Sequence, residues 1–112
     1  ECRAADSACN PYLAAAMLLA AGLEGIREGL DPGDPNLVNA YRLSPEERSA
    51  RGLHTLPRNL GEAIEAFAAD PLSRQVFGDA MADAYVSFKR DEWSSYHGAV
   101  SAWEMERYLE LF

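Results

Sequence analysis

The sequence predicts a mainly α-helical chain of 112 residues. Three observations point that way. Helix-start signals recur along its length: Asn10-Pro11, Ser44-Pro45 with Glu47, Asn59 with Glu62, Asp70-Pro71, and Ser101 with Glu104. In each, a short polar side chain can accept a hydrogen bond from the otherwise unpaired amides of a first helical turn. Apolar residues recur three and four apart, the spacing of one helix face. No run beyond the first few residues alternates as a strand would.

Taken in order, Asn10 is a cap and Pro11 a first helical residue, with helix from Tyr12 to about Leu30. The first half of this helix is apolar on every side, which predicts burial all round, with the other helices packed about residues 12–23. Glu24, Arg27 and Glu28 place its second half in solvent. Gly22, Gly25 and Gly29 weaken it by propensity and are expected to mark close approach of a neighbouring backbone. Two prolines and a glycine between Asp31 and Asn39 make a loop. Ser44, Pro45 and Glu47 start a short helix that stops near Gly52, followed by a connector at residues 53–58. From Asn59, the residues Leu60, Ala63, Ile64, Phe67 and Ala68 match the amphipathic template at every position. Asp70-Pro71 begins a further short helix ending near Gly78. Beyond Asp79, Met81, Ala84, Tyr85 and Phe88 form the expected apolar stripe, with residues 89–92 on a wet face. Gly98 interrupts this helix, and Ser101 with Glu104 opens the last one, which carries Trp103, Tyr108, Leu109, Leu111 and Phe112.

At 48% hydrophobic residues, the chain has enough apolar content for one domain with one core. Its net charge of -8 argues against nucleic acid and against an anionic membrane as partners, because each needs a basic patch. The longest uncharged apolar stretch, Tyr12 to Leu23, is shorter than the roughly 20 residues that span a bilayer. Cys2 and Cys9 fit neither a redox nor a zinc motif and read as reduced thiols of a cytoplasmic protein. One disulfide between them is the other possibility.

Few residues carry chemistry. His54 and His97 lack a second ligand at metal spacing and read as ordinary surface or packing histidines. Glu46-Glu47 and Asp91-Glu92 read as solvated helix faces. Trp93, Tyr96, Trp103 and Tyr108 lie at helical spacings and read as core; exposed, they would mark a subunit contact. Glu1 and Arg3 remain. On an extended strand, side chains two apart point the same way. A carboxylate there can hold a hard divalent cation, and a guanidinium can meet a transferring phosphoryl group or a second carboxylate. Taken alone, the pair is equally a local ion pair.

The surrounding residues narrow the choice. "ECRAADSACNPYLAAAMLLAAGLEGI" resembles the last catalytic strand and following helix of the glutamine synthetase family, with its E-x-R-x-x-D, N-P-Y-L and A-G-L-(D/E)-G-I pattern. "LPRNLGEAIEAF" and "AYVSFKRDEWSSYHGAVSAWEMERYLELF" are similar to later helices of that family. Ala5 stands where the family often has proline.

The resemblance implies the C-terminal helical segment of an α+β catalytic domain spanning residues 1–112, with a residual catalytic strand at 1–6 and helices from residue 11. It implies an ATP-dependent ligase that joins ammonia or an amine to glutamate through γ-glutamyl phosphate, using Mg²⁺ or Mn²⁺, in a cytoplasmic homo-oligomer. By position, Glu1 is implied as a metal ligand and Arg3 as the catalytic and substrate-binding arginine. Asp6 is expected to fix the turn into the first helix. The family's other metal ligands and its nucleotide contacts lie upstream, so residue 1 is expected to be a strand residue of a longer enzyme, and this chain alone to be inactive. The alternative is a stand-alone helical oligomerisation or protein-interaction module derived from that fold.

Overall fold

A computed structural model describes residues 2–111. It contains five α-helices and one 3₁₀ turn: α1 (Pro11–Glu28), the turn Ala40–Arg42, α2 (Pro45–Ala50), α3 (Leu60–Ala69), α4 (Pro71–Gly98) and α5 (Ala102–Tyr108). The chain divides into two compact units, Glu1–Arg58 and Asn59–Phe112.

In the first unit, every helix boundary is set by a local hydrogen bond. Asn10 Oδ1 accepts from the amides of Tyr12 and Leu13 at 3.0 and 3.3 Å. At the other end of α1, Gly29 adopts φ 64°, and the Leu30 amide reaches back to the Gly25 carbonyl at 2.9 Å. That left-handed residue closes the helix as glycine commonly does. The 3₁₀ turn, which the sequence reading left in a loop, is capped by Asn39 Oδ1 accepting from the Tyr41 amide at 3.0 Å. At α2, Glu47 Oε2 accepts from the Ser44 amide at 2.7 Å while Ser44 Oγ accepts from the Glu47 amide at 3.2 Å. This reciprocal box was expected from the spacing.

The expected burial of α1 is overturned. None of its residues is buried, and Leu19, Leu23 and Ile26 are 69, 65 and 80% exposed. A helix that is apolar on every side buries all its faces only when other elements surround it, and no described helix of its own unit does so. The expected close approach at Gly22 is also absent, since nothing lies within 4 Å of a Cβ built there.

The second unit holds the chain's packed core. Helix α3 lies against α4, burying Ile64, Leu72, Ala82 and Val86. The α3 stripe is the predicted one, with Ile64 buried and Leu60, Ala63, Phe67 and Ala68 half-buried. Phe67 adds aromatic contacts to Phe77 and Tyr85, with ring centroids 5.9 and 5.4 Å apart. Burying side chains the size of Ile64 and Val86 stabilises by about 1.5–3 kcal/mol each. Ser73 is buried too, its hydroxyl satisfied by the Asp70 carbonyl at 2.7 Å.

Helix α4 is broken where the sequence placed a helix end: Gly78 has φ 73° and ψ 159°. Arg74 spans the break and pairs with Asp79 at 3.1 Å and Asp83 at 2.7 Å. These carboxylates hold the guanidinium above its ordinary value, Asp83 first through its hydrogen bond. Beyond the break, the inward face differs from the expected stripe. Ala82 and Val86 are buried and Tyr85, Lys89 and Trp93 half-buried, while Met81, Ala84 and Phe88 face outward. Both faces are apolar in sequence, and contact with α3 selects one of them. Tyr96, Trp103 and Tyr108, expected in the core, are 77, 62 and 50% exposed. Only Trp93 of that set packs inward, because only it lies opposite α3.

That packing is close. A Cβ added to Gly61 of α3 would fall 2.9 Å from Trp93 Cε2. Gly61→Ala therefore sets a helix-propensity gain of about 1 kcal/mol against an overpacking cost of about 1–3 kcal/mol. The expected result is a lower urea midpoint, with Trp93→Phe in the same chain recovering part of the loss.

Helix α5 is opened by a second box. Glu104 Oε2 accepts from the Ser101 amide and from its hydroxyl, both at 2.8 Å. These bonds, the amide first, hold the Glu104 carboxyl below its ordinary 4.5. A carboxyl depressed in the folded state contributes stability above its unfolded value and loses it as pH falls through the folded one. Acidification below 4.5 should thus weaken this cap, and Glu104→Gln should flatten the decline of stability with acid. An unchanged slope in urea titrations of the variant would refute this.

Candidate functional site

The sequence-predicted site residues lie before α1. Glu1 is outside the described residues. Arg3 is exposed and belongs to no regular element. The strand expected over residues 1–6 is not formed among residues 2–6, which run into a bend and a turn. A strand is held by hydrogen bonds to a neighbouring strand, and no strand is present among the described residues.

The segment is nevertheless ordered by its own side chains. Asp6 Oδ1 accepts from the Ala8 amide at 2.7 Å, and the Asp6 carbonyl accepts from the Cys9 amide at 3.1 Å. The first bond makes an Asx turn and the second closes a β-turn, and Asn10 then caps α1. Asp6 thus fixes the turn into the first helix, as expected. Asp6-Ser7-Ala8-Cys9-Asn10 thus forms a hydrogen-bonded elbow leading into α1.

Cys2 and Cys9 are both free and exposed. Among the described residues, no three His, Cys, Asp or Glu side chains converge as a metal site would require. A hard divalent cation takes six or more oxygen ligands, several of them from water or substrate. The described residues by themselves therefore do not fit a Mg²⁺ or Mn²⁺ site. No described helix is long and apolar enough to cross a membrane.

Neither histidine belongs to this segment. His97 stacks on Trp93 with ring centroids 3.8 Å apart, and its Nδ1 lies 3.0 Å from the Trp93 carbonyl oxygen. It packs within its own helix. His54 lines a cavity between α2 and the connector that follows it. The acidic pairs are surface groups, as read: Glu46 and Glu47 bond to Ser44, and Glu92 pairs with Lys89 at 2.6 Å.

The family model for the glutamine synthetase catalytic domain matches residues 1–108. The chain is 43% identical over 111 residues to a glutamine synthetase of Methanosarcina mazei, covering 99% of this chain and 25% of that protein. It is 41% identical over 112 residues to a glutamate–methylamine ligase of Methyloversatilis universalis, covering 100% of this chain and 25% of that one. A solved structure described as "Apo GmaS without ligand" superposes with a TM-score of 0.71 at 35% identity, over 94% of this chain and 24% of its own. The chain thus spans about a quarter of the length of these relatives. With the match running through the Arg3 segment, the Asp6 elbow and every helix up to α5, the chain belongs to the glutamine synthetase family, within its catalytic domain.

Proposed function

We propose that this chain is the C-terminal helical part of an ATP-dependent glutamate ligase. The ligase transfers the γ-phosphoryl group of ATP to the γ-carboxylate of glutamate, releasing ADP. Ammonia or an amine then attacks the γ-carbonyl carbon, phosphate leaves, and the nitrogen gives up a proton to yield the amide. The observation that supports this reading is the family match from residue 1 to residue 108, which includes the Glu1-x-Arg3 pair.

In this reading Arg3 is the catalytic residue of the chain. Its guanidinium meets the γ-carboxylate and the oxygens of the phosphoryl group in flight. A planar donor fork suits both, because each presents two oxygens in one plane. Glu1 contributes one carboxylate to a Mg²⁺ or Mn²⁺ ion whose other ligands lie outside the described residues. The Asp6 turn and the Asn10 cap are positioning elements that hold Arg3 relative to α1. The apolar surface of α1 is covered by the rest of the catalytic domain, and the ligase is a cytoplasmic homo-oligomer.

One observation favours a second reading, a helical oligomerisation or interaction module. Trp103, Leu109 and Leu111 of the α5 region are 62, 68 and 62% exposed, an apolar surface fit for contact with another chain.

Two measurements test the ligase reading. The 112-residue chain alone is expected to release no phosphate from ATP in the presence of glutamate and ammonia or methylamine. In the complete ligase, Arg3→Lys is expected to lower kcat by about 10²–10³, the usual effect of losing one donor to a transition-state charge. Turnover by the chain alone, or full activity of the Arg3→Lys enzyme, would refute the assignment. The module reading expects Arg3→Lys to change nothing.

A further inference from the structure

A cavity of about 210 Å³ opens between α3 and the second arm of α4, wholly inside the second compact unit. It lies along the stripe that the amphipathic pattern predicts for α3. Leu60, Ala63, Ile64 and Phe67 line one side, and Tyr85, Val86 and Lys89 line the other. Ile64 and Val86 are buried, so the cavity reaches into the packed core. Ala63 contributes only a methyl group between Leu60 and Phe67, the large side chains one turn to either side. Packed interiors leave few voids larger than a water molecule, so a space of this size within the main helix contact is a feature of its own.

The lining chemistry selects what can fill it. Lys89 is the charged residue in the lining, and its ammonium already pairs with Glu92 at 2.6 Å. That hydrogen bond is the first of the causes that hold the ammonium above its ordinary range. The cavity therefore presents no unmatched charge. Water is a poor occupant, because a buried water needs about two to four polar partners and the rest of the lining is aliphatic or aromatic, with the Tyr85 hydroxyl as its further polar group. Aromatic rings favour offset or edge-to-face neighbours. Phe67 and Tyr85, themselves tilted at 58° with centroids 5.4 Å apart, offer such contacts to a third ring.

We propose that this cavity binds one small, neutral, single-ring aromatic molecule. An apolar cavity of about 150 Å³ lined by Leu, Ile and Phe takes up benzene, and drug-sized ligands need about 300–1,000 Å³. A volume of about 210 Å³ falls between these, with room for a substituted benzene. Binding is driven by withdrawing the ring and the lining from water together. A carboxylate on the ring would lose hydration with no free cation to receive it, because Lys89 is taken by Glu92. The site shares no residue with the Arg3 segment and does not depend on the ligase reading.

The test follows isotope-labelled Ile, Leu and Val methyl groups of the full chain by NMR during titration with toluene. Ile64 and Val86 are expected to shift saturably. Leu19 and Leu23 of α1, exposed and in the other unit, report non-specific contact and are expected to shift only in proportion to concentration. Benzoate, a similar ring carrying a charge, is expected to need a concentration at least about tenfold higher. Ala63→Leu extends a larger side chain into the cavity and is expected to raise the half-saturating toluene concentration about tenfold or more. The same variant should keep or raise the urea midpoint, since filling a void stabilises. A lower midpoint would show that the space is not there and would overturn the proposal. So would an absence of saturable shifts, saturation shared by the α1 methyls, benzoate as effective as toluene, or toluene binding unchanged in Ala63→Leu. In the complete ligase, the same shifts at Ile64 and Val86 support a ligand site. Their absence there, the mark of a side chain from elsewhere in the catalytic domain filling the cavity, overturns it.

Discussion

Contact between α3 and the second arm of α4 is the constraint on which this chain's tertiary structure depends. All the buried apolar side chains among the described residues, Ile64, Leu72, Ala82 and Val86, belong to these two helices. Gly61 lets the Trp93 indole approach to a distance no other residue type would allow without adjustment. The Gly78 break turns the chain between the two arms of α4, and Arg74 ties both sides of it. Interiors packed to crystal-like density respond to single methylenes, so a small core of this kind constrains its few residues tightly.

Outside that core, order comes from backbone and side-chain hydrogen bonds made within a few residues. Asp6, Asn10, Asn39, Ser44, Asn59, Asp70 and Ser101 each accept from an amide two or three positions on. Such caps contribute on the order of 1 kcal/mol apiece and define where a helix begins. They do not bring separate elements together. This explains how the first unit can have well-formed helix ends and yet no buried residue in α1.

The exposed apolar residues of α1 and α5 acquire meaning from the family. The chain spans about a quarter of the length of its relatives, and in the proposed ligase the remaining parts would cover these apolar surfaces. Arg3 lies in the same situation. In the proposed ligase, the groups that surround it come from outside the described residues.

The sequence by itself determined the helix starts, the break at Gly78 and the family, because each is written in residues at fixed short spacing, whereas Gly29, read as a point of close approach, is the left-handed stop of α1. Asn39 also carried the signal for the 3₁₀ turn, hidden inside a loop rich in proline and glycine. The buried stripe of α3 was legible as well, but tertiary structure alone decided which face of α4 is buried. Met81, Ala84 and Phe88 satisfy the helical period as well as Ala82, Val86 and Trp93 do, and only the position of α3 separates them. In the same way, the apolar character of residues 12–23 was legible, but burial requires a covering surface that the spacing of residues within one helix does not specify.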